Sequence, residues 1–168
     1  LGGGGILGAA WMVGALKALQ DVHGFDPRTA DYIVGTSAGS VLTALLGAGV
    51  SVDHLVDHQH GNSINAGPLA GYSWDYAKAT GSHRPSLPRL LGPGSGKLIR
   101  RTLAGGARKM PPTAVLSAFM PAGKGSLDRV GHLVEAFTPY GEWSPHPNAW
   151  IVALDYESGR RVAFGHEN

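Results

Sequence analysis

Gly35-Thr36-Ser37-Ala38-Gly39 restricts this chain more than any other stretch. Before it stands Tyr32-Ile33-Val34, an apolar triplet that reads as a short buried strand. After it, residues 38–48 are apolar on most sides and read as a buried helix ending near Gly47 and Gly49. A strand that gives way to a helix around a serine must turn sharply. Glycines on either side permit the turn, and the hydroxyl is then presented above the sheet edge. The N–H groups of the helix that starts at Ala38 point toward any negative charge developing there. In a chain with 26 glycines the pentapeptide alone would be an ordinary turn. With its flanks, it makes Ser37 the candidate nucleophile and Gly35 and Gly39 the glycines of a nucleophile elbow.

A second glycine cluster, Gly3-Gly4-Gly5-Ile6-Leu7-Gly8, opens the chain between the tail of a strand at Leu1 and a helix expected over residues 8–22. Met12, Leu16 and Leu19 form an i, i+4, i+7 stripe on that helix, and Gly24 is its expected stop. Consecutive glycines leave backbone N–H groups unshielded, able to donate to an oxyanion or a phosphate. A dinucleotide-binding turn looks similar, but no acidic residue ends a strand about twenty residues on to meet a ribose. A P-loop would need a Gly-Lys-Ser/Thr ending, which is absent.

With 43% apolar and 15% charged residues in 168, the composition suits one α/β core. Cysteine is absent, so disulfides and thiolate metal sites are excluded. No run of eighteen apolar residues is present to span a membrane, and a cytoplasmic or peripheral-membrane location is expected. The first residue is Leu, so the start is read as truncated. The net charge of +2 conceals a separation. Between Asp75 and Asp128 lie nine basic residues and no acid, namely Lys78, Arg84, Arg89, Lys97, Arg100, Arg101, Arg108, Lys109 and Lys124. The other five cations face all twelve acids. Residues 61–125, rich in Gly, Pro and Ser, read as an insertion or lid with short helices and apolar clusters at 87–91 and 114–120. Mixed apolar and cationic positions there suit an anionic membrane surface, or else a solvated insertion. Nucleic-acid binding is not expected, since no recognisable fold surrounds the charge. Elsewhere Ser51 is an expected cap for a helix through His60. Ser126 is another, for a helix with Leu127, Val130, Val134 and Phe137 inward. Residues 149–154 and 160–164 are expected strands joined by a turn at 155–159.

A glycine-rich loop, one helix, one strand and then G-x-S-x-G resembles the opening of the patatin-like phospholipase family, bacterial type. Trp150-Ile151-Val152-Ala153-Leu154-Asp155 and Glu157-Ser158-Gly159-Arg160-Arg161-Val162-Ala163-Phe164 look like that family's later core strand and hairpin. The resemblance covers residues 1–60 and 126–165. It implies a three-layer α/β/α fold, truncated here to a partial domain over 1–168 with the 61–125 insertion inside it. It also implies a Ser–Asp dyad hydrolase that needs no metal or organic cofactor. Ser37 matches the nucleophile, and Gly3, Gly4 and Gly5 match the oxyanion loop. Leu7 stands where many members carry Arg or Lys. The family's Asp-Gly-Gly or Asp-Gly-Ala motif is missing, so the dyad Asp is expected beyond residue 168, with Asp155 a structural hairpin residue. The implied activity is hydrolysis of a lipid or phospholipid ester through an acyl-Ser37 intermediate. A non-catalytic lipid-binding module and an acyltransferase using the same serine are the alternatives.

Two histidine arrangements compete with this. His54 and His58 lie four apart on one helical face with Asp53, Asp57 and His60 nearby, a metal-ligand spacing or a solvated face. The solvated face is expected, because no third ligand is placed. Ser37, Asp155 and His166 follow the chain order of an α/β-hydrolase triad, but such an elbow lies deeper in its chain.

Overall fold

The computed structural model describes residues 1–72, 96–104, 128–138, 142–155, 158 and 160–165. Its elements are α1 (Gly5–His23), a 3-10 turn (Pro27–Thr29), β1 (Ile33–Gly35), α2 (Ala38–Gly47), α3 (Val52–His60), α4 (Gly96–Leu103), α5 (Asp128–Glu135), β2 (Ala149–Leu154) and β3 (Arg161–Phe164). The chain divides into two compact units. One comprises residues 1–80, 127–153 and 163–168; the other comprises 81–126 and 154–162.

The sheet has the order β1-β2-β3. β1 and β2 are parallel, with Ile33 opposite Ala149, Val34 opposite Trp150 and Gly35 opposite Ile151. On the other side of β1, Leu1 donates its N–H to the Val34 carbonyl at 2.7 Å and accepts from the Thr36 N–H at 3.2 Å. Those two bonds straddle Gly35 as a parallel neighbour's would. The opening residues therefore run along β1, as the reading of Leu1 as a strand tail requires.

α1 begins three residues earlier than its periodicity indicates. Gly4, at φ 134, is the N-cap, and Gly8 donates to the Gly4 carbonyl at 3.0 Å to close the first turn. Glycine costs little in a first turn, where the N–H groups lack intrahelical partners anyway. Gly24 ends the helix in the left-handed conformation, φ 64, with its N–H on the Gln20 carbonyl. The buried face is offset from the expected stripe. Met12, Val13 and Leu16 are buried, whereas Leu19 is 43% exposed. Gln20 takes the half-buried position instead, and its amide reaches Asp53 at the start of α3 at 3.0 Å.

α2 is buried through Leu42, Thr43, Ala44, Leu45 and Leu46 and packs against α1 and β1. Thr43 is tolerated there because its hydroxyl donates to the Gly39 carbonyl at 2.9 Å. Ser51 caps α3 by accepting the His54 N–H at 3.2 Å. Ile64 and Leu69 join the same core as Met12, Val13, Leu46, Val50 and Val52. In α5 the buried residue is Leu133, with Val130 and Val134 half-buried. Phe137 lies just past the helix end, its ring 5.3 Å from that of Tyr72. The expected cap Ser126, Leu127 and the apolar clusters at 87–91 and 114–120 lie outside the described residues. In the second unit, α4 buries Leu98, and Asp155 donates its N–H to the Arg160 carbonyl at 2.8 Å across the expected turn.

Candidate active site

The chain reverses between β1 and α2 at Ser37, whose φ of 55° and ψ of −124° make it the one non-glycine with positive φ among the described residues. Such a conformation costs on the order of 1–3 kcal/mol and persists only where surrounding contacts dictate it. Here they do. The Gly39 N–H donates to the Gly2 and Thr36 carbonyls, each at 2.9 Å, and the Ser40 N–H donates to the Ser37 carbonyl at 2.9 Å. The Thr36 hydroxyl donates to the Val152 carbonyl at 2.8 Å, tying the turn to β2.

The two elbow glycines are required by space rather than by φ. A Cβ on Gly35 would sit 2.2 Å from the Gly39 carbonyl oxygen and 2.3 Å from the Thr43 hydroxyl. On Gly39 it would sit 2.4 Å from the Leu1 carbonyl oxygen and 2.8 Å from that of Gly2. Gly39→Ala is therefore expected to push residues 1–2 off β1 and to cost about 1–3 kcal/mol of stability. Urea denaturation of the variant measures this, and an unchanged midpoint would remove the close approach from the account.

The glycine loop meets the elbow from the opposite side. A Cβ on Gly3 would lie 3.5 Å from the Ser37 Cβ and 3.9 Å from its Oγ, in contact with the serine side chain. Gly4 and Gly5 have φ of 134° and 59°, the region open to glycine. Gly8 completes the pattern, since a Cβ on it would strike the Gly3 carbonyl oxygen at 2.9 Å. Among the described residues, nothing accepts a hydrogen bond from the amides of Gly3, Gly4, Gly5 or Ala38. Two helix N-termini, those of α1 and α2, thus open beside one exposed serine. Of the residues singled out in the sequence, Gly3 lies against Ser37, Gly4 and Gly5 follow it into α1, and Gly35 and Gly39 flank the serine. The Gly2 carbonyl that anchors Gly39 was not among them, and a strand at residues 1–2 was the available signal.

Among the described residues, no carboxylate or imidazole accepts from the Ser37 hydroxyl. One Asp155 carboxylate oxygen accepts the Ser158 N–H at 3.1 Å, as a structural turn residue does. His166 lies outside the described residues. The histidine face of α3 is half-buried rather than solvated, because the turns at 61–72 pack on it. Gly67 comes so close that a Cβ on it would lie 2.7 Å from the His54 ring. The His58 ring stacks near Tyr72 at 6.2 Å, and burial pushes its pKa down. Asp53 is held below the usual carboxylate range by Lys17 at 3.1 Å and Gln20 at 3.0 Å. Asp57 accepts from the Asn62 amide at 2.9 Å. The described residues hold no group of three or more potential ligands that could bind a metal.

Among the described residues no helix is long and apolar enough to cross a membrane. Comparison with curated proteins and with solved structures gives no match. The family model described as patatin-like phospholipase matches residues 1–137, the stretch that carries the glycine loop, the elbow and α1 to α5. Lipid acyl hydrolysis is the activity and lipid the substrate class that this family implies. The chain, an α/β protein whose β1 and α2 are joined through Ser37, belongs to the patatin-like phospholipase family.

Proposed function

We propose that this protein hydrolyses a carboxylic ester of a lipid or phospholipid, with Ser37 as nucleophile. The observation that carries the reading is the strained Ser37 turn facing the bare Gly3 backbone. In this mechanism the Ser37 Oγ attacks the acyl carbonyl carbon. The carbonyl oxygen gains the negative charge and is met by the amides of Gly4 and Gly5, with Gly3 beside them and Ala38 across the elbow. The serine proton passes to the Asp of the family's dyad. Collapse of the tetrahedral intermediate expels the alcohol and leaves acyl-Ser37, which water then hydrolyses. The segments that build the elbow and the glycine loop, residues 32–52 and 1–16, carry no charged side chain. Backbone dipoles are left to stabilise the oxyanion.

A fluorophosphonate probe tests the assignment. It is expected to label the full-length protein at Ser37, identified by mass on the peptide containing residues 35–39. Labelling elsewhere, with Ser37 unmodified, would remove it from the mechanism.

A three-layer arrangement is part of the same proposal, and so is a lid or insertion over residues 61–125, which the Gly, Pro, Ser and basic composition of that stretch motivates. So is peripheral contact between the basic stretch and an anionic membrane. Near such a surface each Lys or Arg contributes about 1 kcal/mol, fading within a Debye length of roughly 8 Å. The described part of that stretch, α4, carries Lys97 and Arg100, with Leu103 exposed beyond them. Neutralising Arg89, Arg100, Arg101 and Arg108 together is expected to weaken co-sedimentation with anionic vesicles at low salt. Equal sedimentation of variant and parent would return the stretch to a solvated insertion.

A further inference from the structure

The first two turns of α1 leave the candidate site with an unusual outer surface. Ile6 is 55% exposed, Leu7 84% and Trp11 74%, and Ala10 between them is exposed as well. Leu7 and Trp11 are four residues apart and so lie on one face, with Ile6 and Ala10 along its edge. This face starts one residue after Gly5, where the loop beside Ser37 ends. No charged side chain occurs before Lys17, which is about 18 Å along the helix from Gly5 at 1.5 Å per residue. Lys17 itself is paired with Asp21 and Asp53.

We propose that Ile6, Leu7 and Trp11 form an apolar tip that enters the outer acyl region of a lipid bilayer and sets the glycine loop at headgroup level. The proposal rests on the lipid-hydrolase reading above and adds where the bilayer meets the protein. Three features favour a bilayer over another protein chain as the occupant. The tip adjoins the place where an acyl ester must arrive, since Gly3 lies against Ser37. Its charge-free length of about 18 Å lets the face lie along the interface with no charge carried to the roughly 5–10 Å depth that interfacial helices reach. And the amides of Gly3, Gly4 and Gly5 would be costly to bury in hydrocarbon, but at headgroup level they meet ester and phosphate oxygens. Trp11, one turn below Leu7, is the residue type that settles at such a boundary. Insertion of this kind is apolar, so it is separable from the salt-sensitive attraction of the basic stretch.

The test uses zwitterionic vesicles at high salt, which suppresses that attraction. Vesicles with bromine-labelled acyl chains are expected to quench the part of the tryptophan emission that Trp11→Phe removes. Trp11→Ser is expected to lower vesicle partitioning by at least about tenfold, equivalent to about 1.4 kcal/mol. The same change should lower the ratio of turnover on vesicle-embedded long-chain ester to turnover on monomeric short-chain ester. Trp11→Phe, which keeps an apolar ring, should retain most of both. Because Trp11 is exposed, circular dichroism of the serine variant should match the parent. Absence of quenching, or equal partitioning of Trp11→Ser and parent, overturns the proposal. A concentration-dependent dimer that Trp11→Ser dissociates, without quenching by lipid, also overturns it and assigns the face to a second copy. Partitioning is measured equally in a Ser37→Ala background, so loss of the catalytic reading would leave its own separate mark in turnover.

Discussion

Replacing Ser37 with alanine is expected to reduce ester turnover by on the order of 10⁶, the loss found when a serine hydrolase is deprived of its nucleophile. The remaining rate would be that of a site with oxyanion donors and no attacking group. The fold should survive the change. The Ser37 side chain makes no cap bond to α2, and the turn is held by backbone groups of residues 2, 36, 37, 39 and 40 together with the Thr36 hydroxyl. Alanine at φ 55 carries nearly the strain that serine already bears. Hydrolysis of a p-nitrophenyl ester by parent and variant, with circular dichroism alongside, makes the measurement. Equal turnover at equal folded concentration would exclude Ser37 as the nucleophile.

The second large effect is expected at the loop. Gly5→Val should lower turnover by about 10²–10³, the usual cost of losing one oxyanion donor, with a much smaller change in substrate binding. The reason is conformational. A Cβ on Gly5 would meet no atom within 4 Å, so crowding by neighbours is not the cause. Its φ of 59° is closed to a β-branched residue, so valine must rotate the peptide and swing its amide off the oxyanion. Gly39→Ala differs in kind. It collides with the Leu1 carbonyl and should appear first as lost stability. Comparing kcat and denaturation midpoints for the two variants separates a displaced donor from a displaced strand. Full turnover by Gly5→Val would mean that the loop does not hold the oxyanion.

Much of this was legible in residue order because the governing interactions are local. Gly24 ends α1 since a left-handed residue needs no Cβ, and Ser51 starts α3 since its hydroxyl reaches only three residues ahead. The ends of β2 coincide with the apolar run from Ala149 to Leu154 for the same reason. G-x-S-x-G announced a sharp turn because its two glycines and its flanking strand and helix all lie within residues 33–47. Where sequence reading slipped, a distant partner had intervened. The inner face of α1 moved off the Met12, Leu16, Leu19 stripe because the helix packs on α2 and α3, which bury Val13 and leave Leu19 exposed. The histidine face of α3 was covered because Gly67 and Tyr72 folded back upon it.

The two motifs of the candidate site were thus written in the chain order: a serine between a strand and a helix, and a run of glycines before a helix. Tertiary structure decided how close the two motifs come. Gly3 lies against Ser37, and Gly39 is pinned by the carbonyl of Gly2, because Leu1 pairs alongside β1. No periodicity encodes that approach. It depends on a backbone pairing across thirty-odd residues, which hydrophobic pattern and turn chemistry can permit but only the packed sheet and helices select.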